Sequence, residues 1–394
     1  MWRLSLTTLV IAGGCAYERP LGAGPDATSG EPDAARLVDS GLDAAPACVD
    51  SACPSGVCDG AACVPVDNVR YVAKDALRNV SCSQARPCPS IAEAWAAAPA
   101  GPAFVVVESG TYNGELLVPG GELTIVGSGD TAPLLTSGQG SPIDVHDARL
   151  TLRHLQLSST LATSEGAPAL ACGDATVSLD DVTVRDGTGE GVRAVRCDLG
   201  IIDSRITSNA RYAVTLDKGS LSLYRTIVRD NAMGGVVAQT PGSCTIVASV
   251  IDHNGGGGPF VFVGGALLAC ESALRVENVT FASNEVQGDT ARGLHCRPSA
   301  STRIRNVLFA GAPPHVADCE LTHSLFENQP LVPGGVGNRT LSRPDFVDRA
   351  GGNYHLLSTS QARDAGDPST ASERDLDDEA RPQGAWDVGA DEIP

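Results

Sequence analysis

The sequence predicts an all-β protein, a right-handed parallel β-helix built as a solenoid of coils of about 22–30 residues. After residue 150 a pattern recurs, in which two short pairs of inward-facing residues, such as Leu199/Ile201 and Ser204/Ile206, flank a gap. Side chains within each copy alternate with the period of two that strands show, and no apolar run at helical spacing occurs between residues 150 and 326. A unit this short cannot bury its own apolar face, so the copies must stack as coils with parallel strands. Aligned on their first inward residue, the copies begin at Leu150, Val177, Leu199, Leu221, Cys244, Leu274, Thr302 and Cys319.

The chain opens with an expected export signal over residues 1–14, in which Arg3 precedes a mostly apolar run that is too short to span a bilayer. Small residues lead up to Cys15, which resembles the lipobox of a bacterial lipoprotein. We therefore expect Cys15 to be lipidated and to anchor the protein to a membrane. An ordinary secretory signal with a coincidental cysteine is the alternative. Residues 15–46 are rich in Ala, Gly, Pro and Asp and predict a disordered tether.

A small disulfide-linked knob is predicted over residues 47–68, where cysteines recur at a constant step of five residues. They are Cys48, Cys53, Cys58 and Cys63. The sequence does not separate their three pairings, and a zinc site is the alternative interpretation. The chain has 13 cysteines, so without Cys15 an even number remains. That parity suits an oxidising, extracytoplasmic location.

Residues 69–360 are predicted to form the β-helix, beginning with a capped first coil. Cys82 and Cys88 bracket a short loop, where we expect a disulfide. Residues 90–98 predict a short N-terminal capping helix, with Ser90 as its N-cap and Glu93 completing a capping box. A helix at this point can cover the open end of the first coil.

Three motifs in this region resemble a known superfamily. They are Pro-Ser-Ile-Ala-Glu-Ala at residues 89–94, Val-Val-Val-Glu-Ser-Gly-Thr-Tyr at 105–112 and Leu-Thr-Ile-Val-Gly-Ser-Gly at 123–129. They are similar to the opening of right-handed parallel β-helix proteins of the pectin-lyase-like superfamily. The resemblance implies the same fold. Because that superfamily includes pectate lyases and polygalacturonases, it also keeps polysaccharide cleavage as an alternative function.

Asparagines recur at one corner of the coil, three residues after the last inward residue of a copy. They are Asn209, Asn231, Asn254 and Asn284. Asparagine suits a corner because it tolerates left-handed backbone angles and can hydrogen-bond its neighbours. Stacking of successive coils therefore predicts an asparagine ladder.

Cysteines in the coils predict bridges between neighbouring coils, because parallel strands lie about 4.8 Å apart, within the Cα separation that a disulfide accepts. The coil at Leu216 has no cysteine, which leaves Cys172 to pair with Cys197. The other four pair most simply as Cys244 with Cys270 and Cys296 with Cys319. A bridge between Cys270 and Cys296 is also sterically allowed.

The last segment, residues 361–394, is an acidic C-terminal cap in this prediction, with ten acidic residues against three arginines. Its motifs, including Tyr354-His355-Leu356 before it and Asp387-Val-Gly-Ala-Asp391-Glu392 near its end, are similar to the closing segment of bacterial choice-of-anchor Q domain proteins. That resemblance implies exposure at the cell surface and no established reaction. A calcium site is one interpretation of the acidic run at Asp375, Asp377 and Asp378, and a solvated cap is the other.

A catalytic site is not evident from the sequence. Asp180 and Asp181 are the only adjacent acidic pair in the central coils, and a nearby lateral surface is expected to hold Arg205, Arg225, Arg229 and His253. Asp180 and Asp181 occupy a gap that other coils fill with unrelated residues, which favours a solvated turn over an acid and base pair. Polygalacturonase and lyase motifs do not occur in the sequence.

The net charge of −19 argues against nucleic acid and polyanionic pectin as partners. Neutral or cationic glycans and envelope proteins remain candidate partners. We therefore expect a lipid-anchored protein of the cell surface that acts in binding, adhesion or envelope structure. The alternative is a divergent polysaccharide lyase or glycoside hydrolase.

Overall fold

The computed structural model describes residues 48–60, 62–163, 166–256, 263–286, 292–313, 315–330, 332–369, 374–381 and 385–393. The expected signal peptide, Cys15 and the tether lie outside these residues. Within the described part, no helix combines the length and the apolar character that a membrane span requires.

The N-terminal knob packs on the outside of the first coils. It contains the short helices Asp50–Ala52 and Val66–Asn68 and a hairpin of β1 (Cys58–Asp59) and β2 (Ala62–Cys63). Disulfides join Cys48 to Cys58 and Cys53 to Cys63, so these thiols are not free to bind zinc. The knob is held by an apolar cluster, which contains Val57, Val64, Val69, Tyr71, Val106 and Val126.

The strands after the knob wind into a stack with three faces, named here sheets A, B and C, and every pairing within these sheets is parallel. Sheet A contains β3 (Val69–Val72), β4 (Ala103–Glu108), β7 (Gly121–Ser128), β18 (Ser243–Val247), β21 (Ala273–Glu277) and β24 (Ser301–Arg305). Sheet B contains β5 (Thr111–Asn113), β8 (Leu134–Ser137), β14 (Arg205–Thr207), β16 (Ile227–Arg229), β19 (Val250–Asp252), β22 (Thr280–Ala282), β25 (Leu308–Ala310), β27 (Leu325–Glu327) and β28 (Arg339–Leu341). Sheet C contains β6 (Leu116–Val118), β9 (Ile143–His146), β11 (Leu170–Gly173), β17 (Gly234–Gln239), β20 (Ala266–Ala269), β23 (Leu294–Cys296) and β26 (Val316–Ala317).

Four longer strands turn a corner and contribute to two sheets. β10 (Ala148–Ser159) and β12 (Thr176–Arg185) run from sheet A into sheet B. β13 (Val192–Ile202) and β15 (Tyr212–Tyr224) run from sheet C into sheet A. The architecture is therefore the predicted right-handed parallel β-helix.

The register of sheet A follows the alignment of the sequence copies. Leu150 pairs with Val177, and the same column continues through Leu199, Leu221, Cys244, Leu274 and Thr302. Apolar side chains of these columns fill the interior. Near the C-terminal end Phe281, Phe309 and Phe326 stack one above another, with ring centroids 5.4 and 5.0 Å apart.

The asparagine ladder is present at the corner after sheet B. Asn209, Asn231, Asn254 and Asn284 are buried, and the Nδ2 of each of the first three donates to Oδ1 of the next asparagine at 2.9–3.1 Å. The left-handed residue at this corner is the one before each asparagine, such as Asp230, rather than the asparagine itself. The prediction that the asparagines themselves adopt left-handed backbone angles was therefore wrong. Their side chains instead hydrogen-bond neighbouring coils.

Disulfides also join coils within the stack. They connect Cys172 to Cys197, Cys244 to Cys270 and Cys296 to Cys319, with Cα atoms 5.1–6.3 Å apart, and Cys82 is joined to Cys88. The capping helix α1 (Ile91–Ala96) buries Ile91 and Ala94 against the first coil. Ser90 Oγ accepts from the backbone N of Glu93. The expected capping box is incomplete, because the Glu93 carboxylate lies 3.1 Å from Nε of Arg78 instead.

The chain leaves the stack after Leu341, earlier than the expected boundary at residue 360. The described residues between 342 and 393, named here the closing segment, include an antiparallel pair of β29 (Phe346–Asp348) and β30 (Asn353–Leu356). The segment packs on the outer face of sheet B. A second apolar cluster marks this contact and contains Val250, Ala282, Leu308, Ala310, Leu325, Phe346, Tyr354, Leu356, Ala362, Val388 and Ala390.

Candidate functional site

A lateral cleft of about 410 Å³ lies where the closing segment meets sheet B. One wall comes from sheet B and the corner before it, at residues 203–205, Arg225, Ile227 and Val250. The other wall comes from residues 351–355 and 376–378. The cleft forms at this place because the outward column that contains the exposed Arg205 becomes apolar and covered at Ile227 and Val250 in the next two coils.

The sheet wall carries fixed charges of both signs. Arg225 is buried and donates to both carboxylate oxygens of Asp203 at 2.6 and 2.7 Å, and its Nη1 also lies 3.5 Å from Asp378 across the cleft. Asp203 and Arg225 occupy the left-handed corner position in successive coils, which places their side chains one above the other. Arg205 has no ion pair or hydrogen bond from its side chain within the described part of the chain, so its guanidinium faces the cleft unpaired.

The opposite wall holds an imidazole between two carboxylates. His355 Nε2 lies 2.6 Å from Oδ2 of Asp377, and His355 Nδ1 contacts the side-chain oxygen of Asn353. Asp391 lies beside them, and its Oδ2 accepts a hydrogen bond from the backbone N of Leu356 at 2.6 Å. Burial raises the pKa of Asp391 to about 6, and nearby Asp375 and Asp377 add to the shift against the opposing effect of His355.

Behind the cleft, Tyr354 joins the cavity to a buried cluster on the outer face of sheet B. Asp252 is fully buried, and its Oδ2 lies 2.8 Å from Nδ1 of His253 and 3.4 Å from Nε of Arg229. Burial raises the pKa of Asp252 against the opposing effect of these two neighbours, and the Tyr354 hydroxyl lies 3.3 Å from His253 Nδ1. The other carboxylate oxygen of Asp252, Oδ1, has no hydrogen-bond partner within the described residues. The cluster therefore places a buried carboxyl group with a raised pKa next to the cavity.

A second set of contacts holds the closing segment in place. Arg229 Nη1 donates to the carbonyl O of Gly351 at 2.9 Å. Gly352 has a φ of 78°, and a Cβ at that position would lie 1.1 Å from Arg229 Nη1, so only glycine fits. Further along, the fully buried Arg381 side chain pairs with Glu392, and burial raises the pKa of Glu392 to about 7.

Asp180 and Asp181 lie outside the cleft lining and face different partners. Asp181 is exposed and its Oδ2 lies 2.6 Å from Nδ1 of His154. Asp180 is half-buried; burial raises its pKa, Asp203 and Asp181 add to the shift, and Arg153 opposes it. The structure thus does not present them as an acid and base aimed at one cavity.

The three calcium candidates of the acidic run also point to separate partners. Asp375 is buried and accepts backbone N–H groups of Asp377 and Glu379 at Oδ1. Asp377 contacts His355, and Asp378 contacts Arg225. The prediction that the acidic residues of the last segment form a solvated cap was wrong for some of them. Its buried acidic residues, which accept backbone hydrogen bonds, are Asp375, Asp387, Asp391 and Glu392.

The sequence placed four residues on a lateral surface, Arg205, Arg225, Arg229 and His253. Arg205 and Arg225 line the cleft, and Arg229 and His253 belong to the cluster behind it. The sequence interpretation missed His355 and Asp391 as members of a site. Both occur in the motifs that resemble the closing segment of choice-of-anchor Q proteins, and that was the available signal.

The arrangement can bind a polar ligand through several hydrogen-bonding groups. The lining offers a free guanidinium, an imidazole, carboxylates and backbone groups around an apolar patch of Ile227 and Val250. Cavities of this size and mixture of polar and apolar groups are typical of small-ligand sites. The nearly neutral balance of charge in the lining favours an uncharged ligand over a polyanion.

Comparisons with known proteins agree on the fold. The family model described as "Right handed beta helix region" matches residues 169–324. The crystal structure of pectate lyase Pel9A is similar with a TM-score of 0.56 and 12% sequence identity, over 88% of this chain and 100% of that one. No curated protein matches the sequence. At this identity the likeness establishes the right-handed parallel β-helix fold alone.

Proposed function

We propose that this protein is a lipid-anchored, extracytoplasmic protein of the bacterial cell surface that binds a neutral or cationic carbohydrate in the lateral cleft without cleaving it. The observation that carries the proposal is the cleft itself, which combines the unpaired Arg205 with an imidazole and carboxylates around an apolar patch. Hydroxyl groups of a sugar can both donate to carboxylates and accept from a guanidinium. The net charge of −19 opposes acidic polysaccharides and nucleic acid.

The rest of the proposal supports a role on the outside of the cell. Six disulfides within the described part fit an oxidising compartment. A lipid on Cys15 together with a tether over residues 15–46 would hold the β-helix away from the membrane. Adhesion and envelope structure are the processes that such a tethered binding protein would serve.

A glycan array followed by calorimetry on its hits tests the proposal. We expect a neutral or cationic glycan to bind and Arg205→Ala to weaken that binding by about tenfold, since a charge-assisted hydrogen bond contributes about 1.5–3 kcal/mol. Arg149→Ala is the matched control, because Arg149 is half-exposed on sheet A, away from the cleft. Equal binding by both variants, or binding only to polyanions, would contradict the proposal.

A polysaccharide lyase or glycosidase is the second candidate, and one observation favours it. Asp391, with its pKa raised to about 6, lies within 4.8 Å of the Asp377 and His355 ligand atoms, so an acid and a base of different strength meet beside the cleft. The array hits should be assayed for new reducing ends or unsaturated products. Products from wild type that disappear in a folded Asp391→Asn variant would establish the enzyme and displace the binding protein.

A further inference from the structure

We infer that His355, Asp377 and Asp391 form a binding site for a divalent transition-metal ion such as Zn²⁺. Their ligand atoms, one imidazole nitrogen and one oxygen from each carboxylate, all lie within 4.8 Å of one another. The residues come from β30 and from two separate parts of the closing segment, so it is the folded segment that brings them together.

The imidazole is already oriented for a metal. His355 Nδ1 contacts the side-chain oxygen of Asn353, and Nε2 shares a proton with Oδ2 of Asp377 at 2.6 Å, so a metal ion would take the place of that proton. Metal-binding histidines usually donate their second ring nitrogen to an oxygen acceptor in this way, because the contact fixes the tautomer and the ring orientation. The backbone N of His355 also donates to the same Asn353 oxygen at 3.1 Å, which fixes that oxygen in turn.

A buried carboxylate with unused capacity completes the set. Asp391 is only 6% exposed. Its Oδ2 accepts one hydrogen bond, from the backbone N of Leu356, and Oδ1 has no hydrogen bond to any described residue. An oxygen that accepts no hydrogen bond can coordinate a cation without giving one up. The nearby negative charges of Asp375 and Asp377 raise the pKa of Asp391 further, whereas His355 lowers it.

The mixture of donors selects the class of ion. Calcium and magnesium prefer sets made entirely of oxygen ligands, whereas an imidazole with carboxylates suits zinc and other first-row divalent ions. In a tetrahedral zinc site, ligands about 2.1 Å from the ion lie about 3.4 Å apart. Binding therefore has to separate His355 Nε2 from Asp377 Oδ2, which lie 2.6 Å apart, and the half-exposed Asp377 side chain has room to move. His355 and Asp377 line the cleft, so the remaining coordination positions would open toward it.

The ion alone tests this inference, independently of the proposed carbohydrate binding. The full chain is freed of metal with a chelator and titrated with Zn²⁺ by calorimetry, alongside Asp377→Asn and His355→Gln. We expect wild type to bind Zn²⁺ at one site, and each ligand variant to bind it about 10–100-fold or more weakly. Asp364→Asn should bind as wild type does, because this exposed carboxylate of the closing segment lies outside the cleft. Circular dichroism checks that each variant is folded. Asp377→Asn replaces the carboxylate by an amide of the same shape, so it tests the site even if His355→Gln disturbs the contact with Asn353.

Anomalous diffraction at the zinc edge locates the ion. A peak between the three side chains, together with failure of equimolar Ca²⁺ to displace Zn²⁺, supports the inference. It is overturned if wild type and Asp377→Asn bind Zn²⁺ equally, if Asp364→Asn loses the site as well, if the peak lies elsewhere, or if equimolar Ca²⁺ displaces Zn²⁺.

Discussion

Removing one rung of the asparagine ladder should destabilise the β-helix strongly. The fully buried Asn231 side chain makes five hydrogen bonds, which reach residues of the coil before it, its own coil and the coil after it. In Asn231→Ala the backbone N and the Nδ2 of Asn209 lose their shared acceptor. Two buried donors without acceptors cost about 1–2 kcal/mol each, so we expect the free energy of unfolding to fall by about 3 kcal/mol.

Urea unfolding followed by circular dichroism and tryptophan fluorescence measures this change, provided that the two transitions coincide. Asn113→Ala is the matched control, because Asn113 is an exposed asparagine of sheet B. Its effect should stay within about 0.5 kcal/mol. A loss below about 1 kcal/mol for Asn231→Ala would refute the claim that the ladder bonds neighbouring coils together.

The bridge between Cys172 and Cys197 closes a loop of 25 residues, so replacing both by serine should lower the free energy of unfolding by about 3 kcal/mol. Peptide mapping without reduction should recover this pair from wild type, and a free thiol at either position would contradict the register. Cys15→Ser should leave the protein soluble or its signal uncleaved, and equal partition of both forms into a detergent phase would rule out the lipid anchor. Replacing Asp180 and Asp181 together by asparagine should leave glycan binding unchanged, because neither lines the cleft; a tenfold loss in calorimetry would contradict that placement.

The stack itself could be predicted because each coil repeats the same local constraints. Alternation of inward and outward side chains fixes the register within a strand, and a slip by one residue would turn Leu199 and Ile201 to the outside. Parallel stacking then places equivalent residues of successive coils one above another, which is why the asparagines could be aligned from sequence alone. Cys172 lies opposite Ala194 rather than Cys197, and the disulfide joins the two neighbouring coils across this offset.

The closing segment could not be predicted in the same way because it does not repeat. Its acidic composition suggested solvation, yet Asp387 accepts backbone N–H groups of Asp364 and Ile393 and is buried. Such a role depends on local turns whose partners lie up to 23 residues away in the sequence. The amino-acid composition shows that a carboxylate is present, but it does not show which hydrogen-bond donors surround it.

A signal for the position of the segment was nevertheless present in sheet B. One outward column of sheet B is polar at Gln156, Thr183 and Arg205 in three successive coils and becomes apolar at Ile227 and Val250. Apolar residues on the outer face of a solenoid have to be covered, and the closing segment covers them. The cleft therefore lies at the boundary between the covered and the uncovered part of one sheet. Because Thr183 pairs directly with Arg205, a ligand bound in the cleft would meet a polar surface on the neighbouring coils, which favours an extended chain of sugars over a single one.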